Sequence, residues 1–140
     1  MEDSIVISRP VEEVFAYLTD VTNWPRWNMI VGNVEQTPPG PMRQGSTLRG
    51  AAEIMGRTMQ YSGEILECDP NKKVVQKMRV GPAEIQTSWL LEPLEDGTRL
   101  TIRSEGKASG PSMIAGPLMD RAVKKQIEES LARLKAILEE

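Results

Sequence analysis

The chain has 140 residues, with 17 basic and 20 acidic side chains and a formal charge of -3. This length predicts a single domain, residues 1–140, that buries roughly two thirds of its unfolded-state surface. The basic and acidic residues are interspersed, so electrostatics gives no reason to expect a nucleic acid or an anionic membrane as a partner.

The predicted elements begin with a short strand, "SIVIS", and a helix that starts near Pro10, because proline suits a first helical turn. A second short helix follows in "NWPRWN", where Pro25 has the same position. Residues 31–108 alternate with period two between turn signals, which predicts an antiparallel meander of about six strands. The final segment returns to helical spacing. Its apolar stripe consists of Met119, Val123, Ile127, Leu131, Leu134 and Leu138.

Turn residues predict how the strands pair. We expect two-residue or four-residue turns at "EDGT", "VGPA" and "MGRT". The expected pairs are Leu91 with Ile102, Trp89 with Ser104, Thr87 with Gly106, Met78 with Ile85, Gln76 with Thr87, Val74 with Trp89, Ile54 with Met59, Ala52 with Tyr61, and Gly50 with Gly63. The hairpins at "EDGT" and "VGPA" then place the same set of side chains on one face, toward the C-terminal helix. The pair Gly50 and Gly63 suits a sharp bend in a strongly curved sheet.

This inner face is not an ordinary core. The predicted register puts Gln76, Thr87 and Gly106 in one row, with Tyr61 and Ser104 nearby, and these side chains fill space poorly. A buried polar atom without a partner costs about 1 to 3 kcal/mol, a cost that water or a ligand would relieve. The row therefore favours an internal cavity with a few polar groups, although mutual hydrogen bonding within a packed core explains the same residues.

The missing residue types restrict the chemistry. The chain has no histidine and one cysteine, Cys68. It therefore lacks the commonest general base at neutral pH, any Ser-His or Cys-His nucleophile, and a donor set for a transition metal. We expect no metal and no cofactor, and Cys68 reads as a small buried residue.

The opening segment lacks the basic start and long apolar run of a secretion signal. No stretch approaches the roughly 20 apolar residues of a membrane-spanning helix. These features predict a cytoplasmic protein without integral membrane association.

The stretch "ISRPVEEVFAYLTDVTNWPRWN", with the Pro-Gly loop, the strands and the long terminal helix, resembles the START-like or SRPBCC superfamily, especially its polyketide cyclase/dehydrase and lipid-transport branch. The resemblance implies an α+β helix-grip fold. In that fold a curved seven-stranded antiparallel sheet wraps around a long C-terminal helix, with two short helices between strands 1 and 2. Family members bind lipids, hormones, isoprenoids or polyketides, and some are enzymes.

Three functions remain open. The leading hypothesis is a protein that binds a hydrophobic small molecule (a lipid, an isoprenoid or a polyketide-like compound) between the sheet and the C-terminal helix. The alternatives are a polyketide cyclase or dehydratase that uses the same cavity, with Tyr61 or a water moving a proton, and a protein-interaction module. A homodimer is also left open. The expected ligand-binding residues are Trp24, Met59, Tyr61, Gln76, Met78, Thr87, Trp89, Ile102, Ser104, Met113 and Met119.

Two further features concern access to this cavity. Trp27, one helical turn from Trp24, is expected to plug one end of the sheet, while Trp24 is either a wedge or part of the pocket rim. The glycine- and proline-containing segments at residues 36–45 and 106–120 are expected to gate the cavity.

Overall fold

The computed structural model describes residues 1–108 and 116–140, with side chains described for residues 1–106 and 121–140. The strands are β1 (Glu2–Ile7), β2 (Val31–Thr37), β3 (Thr47–Ile54), β4 (Arg57–Asp69), β5 (Lys73–Val80), β6 (Ala83–Leu94) and β7 (Gly97–Ala108). The helices are α1 (Val11–Thr19), α2 (Trp24–Trp27) and α3 (Gly116–Leu138), with a 3-10 turn at Val21–Asn23.

The seven strands form one antiparallel sheet in the order β1-β7-β6-β5-β4-β3-β2. The meander β2 to β7 pairs each strand with the next, and β1 joins the free edge of β7. The α1 and α2 helices lie between β1 and β2 in the chain, and α3 completes the fold. This architecture is the predicted helix-grip fold.

Local sequence accounts for the start of each short helix. Pro10 is the N-cap of α1 in an extended conformation, and its carbonyl accepts from the amides of Glu13 and Val14. Asp20 then caps the 3-10 turn by accepting from the backbone amide of Thr22 at 3.0 Å. Pro25 occupies the first turn of α2, where its missing N–H leaves no helical hydrogen bond unmade.

The register of the β5–β6 hairpin is the predicted one. Met78 lies opposite Ile85, Gln76 opposite Thr87, and Val74 opposite Trp89. The loop consists of Gly81 and Pro82, and Gly81 has a φ of 56°, a backbone conformation that glycine adopts without strain.

The predicted register of the β6–β7 hairpin is wrong by two residues. The loop residues are Glu95 and Asp96 rather than Asp96 and Gly97. A side chain at Gly97 would collide with the backbone of Ile7, so Gly97 is needed where β1 ends against β7. The observed pairs are Leu91 with Leu100, Trp89 with Ile102, Thr87 with Ser104, and Ile85 with Gly106.

The observed β3–β4 register also differs from the predicted one by two residues. Met55 and Gly56 form a two-residue loop with φ angles of 53° and 76°, the geometry of a type I′ hairpin turn. A positive φ is uncommon for a methionine, and no sequence pattern indicated it here. The observed pairs are Ile54 with Arg57, Ala52 with Met59, Gly50 with Tyr61, and Leu48 with Gly63, so the predicted glycine pair does not exist.

The core lies between the inner face of the sheet and the three helices. Val14 and Leu18 of α1 are buried, with Val11 and Phe15 packed beside them. The α3 stripe contributes the buried side chains Ile127, Leu131 and Leu134, with Val123 and Leu138 half-buried. The helical spacing therefore identified the buried faces of α1 and of the described part of α3.

Candidate functional site

A row of polar side chains crosses the inner face of β5, β6 and β7. Gln76, Thr87 and Ser104 are consecutive cross-strand neighbours on β5, β6 and β7, and we call them the polar row. Gln76 and Thr87 are buried, while Ser104 is half-buried. The Oγ atoms of Thr87 and Ser104 lie 3.3 Å apart and share one hydrogen bond. Gly106, predicted as a member of this row, lies one step further along β7, opposite Ile85.

Tyr61 extends the polar row onto β4. Its hydroxyl donates a hydrogen bond to Oε1 of Gln76, and both side chains are buried. Burial raises the pKa of the Tyr61 phenol well above its ordinary value, while the hydrogen bond to Gln76 lowers it by a smaller amount. Tyr61 is therefore a neutral hydrogen-bond donor throughout the neutral pH range, with its proton directed at Gln76.

Gly63 makes this contact geometrically feasible. A Cβ at position 63 would overlap Oε1 of Gln76 and lie 2.7 Å from the Tyr61 hydroxyl oxygen. Only a residue without a side chain leaves room for the two to meet above the strand. The sequence had predicted a different role for Gly63, a bend of the sheet shared with Gly50.

The amide nitrogen of Gln76 is free. Among residues 1–106 and 121–140, Nε2 of Gln76 donates to no hydrogen-bond acceptor. A primary amide has two donor hydrogens, and Nε2 of Gln76 keeps some accessible surface, unlike the buried unpaired Nε1 of Trp27. This donor, placed beside two hydroxyl groups, is suited to bind an oxygen atom of a ligand.

Three tryptophans cluster on the side of the polar row away from the β5–β6 loop, with Trp89 two residues from Thr87 on β6. The ring of Trp89 on β6 meets Trp24 edge-on at a centroid distance of 5.8 Å and Trp27 at 6.0 Å. Trp24 and Trp27 are 1% and 2% exposed. Nε1 of Trp24 donates to the carbonyl of Leu18 at 2.9 Å, which fixes α2 against α1. Trp24 is therefore a wedge in the core, and Trp27 has the position expected of a plug.

The remaining predicted site residues lie as follows. Ile102 is buried opposite Trp89, while Met59 and Met78 are half-buried and pack against the core from β4 and β5. Met113 lies outside the described residues, and of Met119 only the helical backbone is described. The structure thus brings the predicted residues of β4 to β7 onto one face, and their role in binding stays a prediction.

Asp3 was missed by the sequence analysis. The alternation of β1 places it on the inner face with Ile5 and Ile7, and its backbone lies opposite Ile102. Oδ1 accepts from the amide of Ser4, whereas Oδ2 is buried without a hydrogen-bond partner. The signal was the pattern Asp3-x-Ile5-x-Ile7, which puts a carboxylate on the apolar side of a strand.

Trp27 also has a property that its spacing did not reveal. Its Nε1 is buried and donates to no acceptor among the described residues. On α3, Gln126 donates to the carbonyls of Met29 and Glu53, yet its Oε1 is buried without a partner. The α2 end of the interior therefore has unpaired polar atoms of its own.

The outer face of the sheet is an ion-pair surface. Lys77 pairs with Glu84 at 3.0 Å, and Arg99 pairs with Glu92 at 2.8 Å. A surface groove of about 350 Å³ crosses β3, β4 and β5 on this side and is lined by both cations and carboxylates. The alternating charges agree with cross-strand pairing and give no continuous anion-binding stripe.

Cys68 is half-buried, and its Sγ lies 3.4 Å from the carbonyl of Met42. Burial, followed by the nearby charge of Asp69, raises the pKa of its thiol, which disfavours the reactive thiolate. Among the described residues, no cluster of three Cys, Asp or Glu side chains is arranged to hold a metal ion. In the same part of the chain, no helix is long and apolar enough to span a bilayer.

Comparison with known families settles the classification. The profile of the family described as polyketide cyclase / dehydrase and lipid transport matches residues 1–139. The chain belongs to this family. The match covers nearly the whole sequence and agrees with the START-like resemblance of residues 7–28. A comparison with curated proteins finds no match.

Several solved structures have a fold similar to that of this chain along its whole length. A START superfamily protein from Mycobacterium smegmatis superimposes with a TM-score of 0.82 at 16% identity, covering 99% of this chain and 96% of that one. The Zhui aromatase/cyclase from Streptomyces sp. R1128 gives 0.77 at 17% identity, covering 99% and 92%. Protein CV1439 from Chromobacterium violaceum gives 0.76 at 23% identity, covering 100% and 96%. These similarities establish the fold.

Proposed function

We propose that this protein binds a hydrophobic small molecule between the inner face of the sheet and α3. In this proposal the polar row and Tyr61 orient the polar end of the ligand, and the half-buried methionines Met59 and Met78 contact its apolar part. The family description, which includes lipid transport, is compatible with such a role. A cavity in the interior is part of the proposal.

One observation carries the proposal. Gln76 is 5% exposed, yet its amide nitrogen has no acceptor among the described residues. This nitrogen is not among the side-chain atoms buried without a partner, so it is accessible to water or to a ligand. An oxygen atom supplied by a ligand would pair with this donor at the point where the surrounding side chains are small or polar.

Binding without chemistry is favoured over a cyclase or dehydratase reaction. The enzyme hypothesis gave proton transfer to Tyr61, but burial raises the pKa of its phenol and its proton is already donated to Gln76. A general base or acid works best with a pKa near the ambient pH. The environment of Tyr61 therefore suits a fixed hydrogen bond better than proton transfer.

A protein-interaction role is also less favoured. An interaction module would present an exposed apolar patch, for which Trp24 was a candidate, but Trp24 is 1% exposed. The exposed large apolar side chains of the described residues are Met1, Val6 and Met55, which lie on separate elements or ends of elements. Scattered single residues of this kind are ordinary for a protein surface.

The experiment is a titration with Nile red, an uncharged hydrophobic dye, after solvent extraction of the purified protein and mass spectrometry of the extract. We expect saturable one-to-one binding of the dye and a co-purifying apolar molecule. The Ser104→Phe variant fills the inner face beside Thr87 and should abolish dye binding.

The matched control is Ser62→Phe. Ser62 is exposed on the outer face of β4, so the same substitution there leaves the interior unchanged. Circular dichroism establishes that both variants are folded. Equal dye binding by the two folded variants would locate the dye elsewhere and refute an interior site.

A further inference from the structure

The interior formed by the described residues contains no basic side chain. Among residues 1–106 and 121–140, every lysine and arginine is exposed or half-buried. The half-buried ones are held at the surface by carboxylates: Lys73 by Glu67 at 2.8 Å, Lys135 by Glu139 at 2.8 Å, and Arg9 near Glu13. The α-ammonium of Met1 donates to the carbonyl of Ser104 at 2.9 Å, but this group is exposed at the surface. An anionic ligand group would therefore find no buried cation on the described elements to replace its lost hydration.

The interior does contain an acid. Oδ2 of Asp3 is buried without a partner on the inner face of β1. Ser104 is the diagonal neighbour of Asp3 across the β1–β7 pair, at a distance of about 7 Å in such a ladder. A carboxylate at that separation repels a second anion placed at the polar row.

The polar row offers donors rather than charge. Nε2 of Gln76 carries two unpaired N–H groups, and the single hydrogen bond between Thr87 and Ser104 leaves one hydroxyl hydrogen for another acceptor. Tyr61 and Gly63 position Gln76 by holding its Oε1 and by leaving space beneath it. Neutral N–H and O–H donors match a carbonyl oxygen.

We propose that the ligand ends in an uncharged carbonyl group, a ketone or an ester, and that Gln76 and Asp3 determine this preference over a carboxylate. Gln76 binds the carbonyl oxygen, and Asp3 excludes the acid of the same chain length. This specificity rests on the proposed interior binding site.

The test is displacement of Nile red from the full chain at pH 7 by three ten-carbon probes: decan-2-one, decanoate and decane. We expect decan-2-one to displace the dye at a concentration at least tenfold below that of decanoate, and below that of decane. A hydrophobic pocket of any kind disfavours an anion, so the assignment to residues depends on two isosteric variants.

Gln76→Glu removes both amide donors and adds a negative charge. It should weaken displacement by decan-2-one at least tenfold and leave decane unaffected. Its control is Gln86→Glu, the same change on the exposed outer face of β6.

Asp3→Asn should reduce the preference for ketone over carboxylate by about tenfold, because the repelling charge is lost. Glu2→Gln removes a charge from the outer face of the same strand and should not change the preference. Circular dichroism of each variant excludes unfolding as the cause.

The outcomes separate the two proposals. Equal or tighter binding of decanoate, or of decane, to the unmodified protein would overturn the carbonyl preference while the interior site stands. Variants at Gln76 and Asp3 that behave like their outer-face controls would overturn the assignment to these residues. Failure of Nile red itself to bind would remove the interior site, and the carbonyl preference with it.

Discussion

The two ends of the inner face differ in how their side chains fill space. At one end Trp24, Trp27 and Trp89 pack edge to face, and a cluster of aliphatic side chains surrounds them. At the other end Tyr61 and Gln76 meet above Gly63, beside a pair of hydroxyl groups. The first end is organised as a core, in which large apolar areas are buried. The second consists of oriented hydrogen-bonding groups, which suit the binding of a ligand better than they suit stabilisation of the fold.

This contrast predicts unequal effects of mutation, and the largest belongs to the tryptophan end. Trp89→Ala removes both ring contacts and leaves a cavity at the centre of the cluster. We expect the free energy of unfolding to fall by about 3–5 kcal/mol, measured by urea denaturation. Val6→Ala, at a 43% exposed position, is the control and should change it by less than about 0.5 kcal/mol. A loss below about 1 kcal/mol at Trp89 would mean that this end is not the stability core.

The next effect is expected from Gly63→Ala, which places a methyl group where Oε1 of Gln76 lies. The Tyr61–Gln76 pair must separate, at a cost of about 1–3 kcal/mol in the free energy of unfolding. Gly32→Ala is the matched control, since a Cβ at position 32 meets no atom within 4 Å. Equal thermal unfolding of the two variants would show that the pair does not depend on Gly63.

Tyr61→Phe should have a smaller effect, about 1 kcal/mol at neutral pH, because one buried hydrogen bond is lost. The difference in the free energy of unfolding between this variant and the unmodified protein should depend on pH. The unfolded-state tyrosine ionises near pH 10 and the folded one only at higher pH, so the stability of the unmodified protein decreases as the pH rises above 10. Phenylalanine lacks this dependence, so the two stability curves should converge above pH 10. Parallel curves would contradict the burial of the phenol.

The smallest effect lies far from both ends, where α3 finishes against the β1–α1 connection. Oε2 of Glu139 accepts from the Ser8 amide and from Nζ of Lys135, both at 2.8 Å. The hydrogen bond from Lys135, followed by that from Ser8, lowers the pKa of the Glu139 carboxyl. This contribution is complete above the ordinary value of about 4.5 and is lost as the pH falls through the lowered value.

Glu139→Gln should therefore increase amide hydrogen exchange at Ser8 at neutral pH, and the difference from the unmodified protein should shrink in acid. Glu128→Gln, an exposed position on the same helix, serves as the control. Unchanged exchange at Ser8 in the Glu139 variant would show that the hydrogen bond between Ser8 and Glu139 does not form in solution.

The sequence predicted on which face of the sheet a side chain lies better than it predicted the side chain's cross-strand neighbour. Two of three hairpin registers were wrong by two residues, yet Tyr61, Thr87, Trp89 and Ser104 all lie on the predicted face. Side chains alternate with period two, so an error of two residues changes the neighbour and preserves the side of the sheet. The fold and the membership of the candidate site were therefore accessible from local patterns.

Individual side-chain contacts could not be predicted from local sequence patterns. The turn rule for Asp-Gly was overridden because Gly97 is required by β1, a strand some 90 residues earlier in the chain. The alternation of β1 did indicate the inward carboxylate of Asp3, but its position near Ser104 depends on the long-range pairing of β1 with β7. The contact between Tyr61 and Gln76 required knowledge of what lies above Gly63, which no periodicity encodes.

The tryptophan cluster has a practical consequence for spectroscopy. The chain contains three tryptophans, and all of them belong to this one cluster. Intrinsic indole emission therefore reports a single location, the junction of α2 with β6, rather than an average over the molecule. Trp89 lies two residues from Thr87 on the inner face of β6, so a ligand bound at the polar row should shift that emission. Binding of an unlabelled ligand would thus be detected optically at this one location.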